Sequence, residues 1–172
     1  MMSLESLREL YRHLEWADSM VWRAASDLST DVHDEYLHNT LHHLHGTQWS
    51  FMEFWAGRTI TPHDPTKFRS LAALREWTRP FHDEVSTFLT SLEPHDLDRE
   101  AVVPWARYII RRLGRQPDAT RLGDTIFQVA MHSAYHRGQV NRRLRELGAE
   151  PPLVDYIVWV WLGRPAANWH DE

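Results

Sequence analysis

The chain has 172 residues, 42% hydrophobic, 12% aromatic and 25% charged, which suits one domain over residues 1–172 with a core that needs no staples. With no Cys and only 7 Gly, thiolate metal sites, cysteine nucleophiles, disulfide scaffolds and collagen-like repeats are excluded. The net charge of −5 argues against a nucleic-acid binder, while 12 His in a cysteine-free chain point to a histidine-based metal site.

Residues 1–11 carry Glu5, Arg8 and Glu9 rather than an apolar signal core, and no run of about 18 apolar residues occurs, so no membrane partner and a cytoplasmic location are expected. Proline and glycine punctuate the chain at 58–69, 93–98, 114–119 and 148–152. Between them lie four long segments of helical period, about 4–28, 34–57, 70–92 and 121–147, each far longer than a typical strand. Ser3 and Asp31 are expected N-caps, with Asp34 and Glu35 as acids in the first turn of the second helix. Gly57 suits the position just past that helix, and Pro80 should kink or split the third. The β-branched stretch 100–110 reads as a short hairpin or irregular crossover. Gly148 and two prolines stop the last long helix, and 153–162 reads as a short C-terminal helix. The expected fold is all-α: a four-helix bundle with an irregular or hairpin insertion between helices 3 and 4.

The sharpest local signal is His132-Ser-Ala-Tyr-His136, which sets two imidazoles at i and i+4 on one helical face. Leu122, Ile126, Val129, Val140, Leu144 and Leu147 form that helix's apolar stripe; His136 lies about 40° and His132 about 80° from its centre, on the same side. Desolvating two rings without a shared partner is costly, so a common ligand competes with core hydrogen bonding as the explanation. Ser133 stands where a zinc protease has its general base, and the single Glu35-x-x-His38 lacks the second copy a di-iron bundle needs. On the second helix the stripe is Leu37, Leu41, Leu44, Phe51 and Trp55. His43 and His45 flank it on opposite sides, so periodicity leaves both open as a third ligand, and His42 points nearly away. The other histidines, including His13, His33, His63, His82, His95 and His170, read as surface or cap residues.

The string His132 to Gln139, followed by Leu144-Arg-Glu-Leu-Gly148 and Pro151 to Tyr156, resembles the C-terminal signature of the DinB family. The string Thr40-Leu-His-His43-Leu-His-Gly46-Thr-Gln48 is similar to that family's histidine-bearing helix, and Tyr11 with Trp16-Ala17-Asp18 to its opening helix. The resemblance implies an up-down-down-up bundle with a zinc or nickel ion on His43, His132 and His136, often in a homodimer. It also implies transfer of a low-molecular-weight thiol or isomerisation of a thiol adduct; because an open ion activates either water or a thiol, the expected function is a hydrolase or thiol transferase acting on a small molecule. Three neutral ligands leave such an ion an open position. Asp18, Glu53, Gln128 and Gln139 are the candidates for a general base, Gln139 better as a hydrogen-bond donor that orients a ligand. A non-catalytic stress-response bundle with a structural ion is the alternative, which His45 or a carboxylate would favour by closing the coordination sphere. Surplus tryptophans, 9 in all, suggest an aromatic dimer face.

Overall fold

In the computed structural model, which describes residues 3–28 and 34–169, helix formation follows the local signals closely. The α-helices of the described residues are α1 (Leu4–Ser26), α2 (Glu35–Trp55), α3 (Leu71–Thr78), α4 (Pro80–Ser91), α5 (Ile110–Leu113), α6 (Leu122–Glu146) and α7 (Tyr156–Trp161). Ser3 caps α1 by accepting from the Ser6 amide. Asp34 is the cap of α2 rather than a first-turn acid: its Oδ1 accepts from the Leu37 amide at 2.7 Å. The expected cap Asp31 lies outside the described residues, as do His33 and His170. Gly57 (φ +66°) and Gly148 (φ +88°) adopt the left-handed conformation that ends α2 and α6. Pro80 splits the third bundle helix into α3 and α4, although Arg79 between them keeps helical angles (φ −55°, ψ −46°). The 100–110 stretch is irregular, tied down by one antiparallel bridge between Glu100 and Arg121.

Side-chain pairings give the direction of each helix. Tyr11 donates to the Ile126 carbonyl and Asp18 pairs with Arg137, so α1 and α6 run parallel. Trp55 bonds Thr125 and Gln48 bonds Ser133, so α2 runs against α6. Arg8 reaches the Leu89 carbonyl and His82 lies by Asp18, so α4 runs against α1. The order is therefore up-down-down-up, a four-helix bundle.

The core is layered. Leu7, Leu14, Phe51, Trp55, Phe81, Leu89, Ile126 and Val129 fill one half. Val21, Trp22, Leu37, Leu41, Leu74, Val140 and Leu144 fill the other. Between the halves lie buried polar side chains: Asp18 on α1, His45 and Gln48 on α2, His82 on α4, and Ser133 and Arg137 on α6. A separate cluster of Trp16, Ala17 and Trp159 packs α7 onto the outside of α1. Of the nine tryptophans only Trp161 is exposed; the other eight pack wholly or partly within the chain.

Candidate metal centre

The His132-x-x-x-His136 pair projects from one face of α6, with ring centroids 4.3 Å apart. Because α2 runs against α6 at this level, His43 meets both rings, at 5.2 Å from His132 and 4.6 Å from His136. One nitrogen from each of the three lies within 4.8 Å of the others. His132 and His136 are partly buried and His43 is exposed, so the cluster opens to solvent on the α2 side. Among the described residues no carboxylate joins it.

Local contacts prepare these rings. The Gln139 side-chain oxygen accepts from His136 Nδ1 at 2.7 Å, which leaves the lone pair on Nε2. His132 Nε2 is buried with no hydrogen-bond partner. Burial, then the neighbouring His136 and His43, lowers the His132 pKa to about 4. Burial and His136 also hold His43 below the usual histidine range. Both rings are therefore neutral at pH 7, the form that coordinates a cation. An orphaned buried nitrogen and an all-imidazole donor set both suit a divalent ion.

The other histidines are placed elsewhere, several against expectation. His45 is buried, and both its ring nitrogens are occupied: Trp22 Nε1 donates to Nε2 at 2.9 Å, and Nδ1 donates to Gln48 Oε1 at 2.7 Å. His42 does not point away into solvent; α3 and the preceding loop cover that face, and the ring stacks on Trp77 at 5.7 Å and against Phe68. His38 bonds the Phe68 carbonyl. His13 and His82 are buried rather than superficial, His13 among Trp16, Tyr156 and Trp159 and bonded to the Val154 carbonyl. His63 is partly buried beside Glu53 and Trp77, and His95 is exposed as expected.

The assisting candidates also separate. Asp18 is buried, held by Arg137 and Gln48, and does not join the cluster. Glu53 accepts from the Thr61 amide and lies roughly 15 Å along α2 from His43. Gln128 is exposed one turn before His132, and Gln139 holds His136 as an acceptor rather than as a donor. Tyr135, well exposed, stands edge-on to His136 at 5.0 Å.

The reading of the sequence missed the polar layer, although a signal existed. Ser133 lies within about 20° of the centre of the α6 stripe and Arg137 about 50° from it, both on the face where apolar side chains are the rule.

A helical bundle with an open three-histidine cluster between its second and last long helices defines the class of this protein. The DinB family model matches residues 2–166, and the chain belongs to the DinB family. No curated protein matches it. Among the described residues, no helix is long and apolar enough to cross a membrane.

Proposed function

We propose that the chain is a metal-dependent enzyme in which His43, His132 and His136 hold a zinc or nickel ion and a small molecule reacts at its open side. The carrying observation is the convergence of three imidazoles from two helices, with His132 Nε2 buried and unpartnered. A divalent ion supplies Lewis acidity there, lowering the pKa of bound water from about 15.7 towards about 7 or ionising a thiol.

The chain's own residues supply three things. Neutral rings donate lone pairs and leave the cation's charge undiminished, which favours an anionic ligand. Gln139 fixes the orientation and tautomer of His136. Tyr135 offers an exposed aromatic edge beside the cluster, suited to packing the apolar part of a ligand. With no Cys in the chain, the thiol in a transfer reaction comes from a cosubstrate. The catalytic reading is favoured over the structural-ion reading because His45 is saturated by Trp22 and Gln48 and is no longer free to complete a closed sphere.

The test is metal analysis of purified protein, then assays of the zinc- and nickel-loaded forms for ester or amide hydrolysis and for consumption of a low-molecular-weight thiol with electrophilic acceptors. One ion per chain and thiol-dependent or hydrolytic turnover abolished by His136→Ala is expected. Failure to retain any divalent ion at pH 7.5 would sink the reading.

A further inference from the structure

The polar layer lies at the level of the three-histidine cluster, and its bonds tie together the same segments that carry the cluster. Gln48, five residues beyond His43 on α2, donates through Nε2 to Ser133 Oγ at 3.1 Å and to Asp18 Oδ2 at 2.9 Å. Ser133 sits between His132 and His136 on α6. Arg137, the neighbour of His136, donates to Asp18 Oδ1 at 2.9 Å. His45 gives its Nδ1 proton to Gln48 Oε1 and receives the Trp22 indole proton, which closes the chain of bonds back onto α1. Asp18, Ser133, Arg137, His45 and Gln48 are all buried.

Apolar packing alone sets helix register weakly, because contact energy is non-directional and one leucine ridge resembles the next. A buried hydrogen bond has one geometry, and a slip leaves donors and acceptors unpaired in a low dielectric. A single buried polar residue fixes register in coiled coils for this reason. Here the slip that matters is that of α2 against α6. One residue of translation is about 1.5 Å, and one of rotation about 100°, enough to carry His43 away from His132 and His136. Between the halves of the core, Gln48 is the side chain that bonds both α1 and α6.

We infer that Gln48, with Asp18 and Ser133, is a positioning residue for the metal cluster: it sets the α2–α6 register that brings His43 opposite His132 and His136. This rests on the metal-binding reading above. A purely structural role would be shared by the other buried bond between these helices, Trp55 Nε1 to Thr125 Oγ1 at 2.9 Å, which lies about 18 Å along α2 from His43. The two bonds therefore provide a matched comparison.

The test uses Co2+ as a spectroscopic probe on the full chain, comparing wild type, Gln48→Met, Ser133→Ala and Thr125→Val for melting temperature, Co2+ affinity and visible absorption. Gln48→Met keeps volume and removes both polar functions. Ser133→Ala removes one bond only and serves if the first variant does not fold. Gln48→Met is expected to lose about tenfold or more in affinity with altered absorption bands, the order seen when groups supporting a ligand are lost. Ser133→Ala should move the same way by less. Thr125→Val should lose stability but keep wild-type affinity and spectrum. Unchanged Co2+ binding in folded Gln48→Met and Ser133→Ala, or an equal loss in Thr125→Val, overturns the inference while leaving the metal reading intact. Wild-type protein that takes up no Co2+ overturns both.

Discussion

Trp22 Nε1 donates to His45 Nε2 at 2.9 Å, deep between α1 and α2, and this bond separates the two histidines that flank the α2 stripe. His45 spends both nitrogens inside the core, whereas His43 faces the α6 pair. At saturating zinc, His43→Ala, His132→Ala and His136→Ala should each lose the bound ion. His45→Ala should retain it while losing about 2–4 kcal/mol of stability, through a cavity and orphaned partners. His42→Ala and His38→Ala should also retain the ion. Metal content by elemental analysis beside thermal melts decides it; loss of metal in His45→Ala with retention in His43→Ala would reverse the assignment.

Asp18 and Arg137 are a buried pair in the polar layer. Burial pushes the Asp18 carboxyl up, but Arg137 above all, with His45 and His82, brings it below the usual aspartate range. Removing one partner strands the other charge, so Asp18→Ala or Arg137→Ala should each cost about 3–5 kcal/mol. Replacing both, as Asp18→Leu with Arg137→Met, should recover much of that loss. Urea unfolding of the two single variants and the double variant measures it. Single losses below about 1 kcal/mol would show that the pair is effectively solvated.

Acid should destabilise the metal-free protein through its buried histidines. Burial holds His82 down to about 4, with His45 and His13 lowered for the same reason. The unfolded chain takes up these protons near pH 6.5 and the folded chain does so only lower, so the stabilisation is complete above pH 6.5 and is lost as pH falls towards 4. His82 alone accounts for on the order of 3 kcal/mol across that window. Melting temperature should fall steadily from pH 7 to 4, and His82→Leu should flatten the curve. A profile that is the same in both proteins would exclude His82 as the source.

Gln139 orients His136 without belonging to the cluster. Gln139→Ala should lower zinc affinity by about 10–100-fold while leaving one ion per chain at saturation. Competition with a chromophoric chelator reads this directly. An unaltered constant would mean that His136 keeps its orientation by packing alone.

Legibility in the sequence tracked how local each feature is. The stripes of α2 and α6 are buried where periodicity places them, from Leu37 to Trp55 and from Leu122 to Leu144, because a helix's buried face is encoded within its own turns. Ser3, Gly57, Pro80 and Gly148 act on the backbone beside them, and their effects appear where expected. The His132–His136 pair was equally local.

The sequence by itself determined the helical class, the long helices with their core faces, and one edge of the histidine cluster. Between His43 and His45 the periodicity was neutral, and only the family resemblance distinguished them. Tertiary structure decided the rest. The antiparallel register of α2 on α6 brings His43 to its partners. The placement of α3 buries the face of α2 on which His42 stands, and α7 covers His13. The layer that joins Asp18, Gln48, Ser133 and Arg137 draws on residues up to 119 positions apart. Periodicity reports which side of a helix avoids water; it carries no information on which neighbour covers that side, and a metal centre assembled between helices depends on the neighbour.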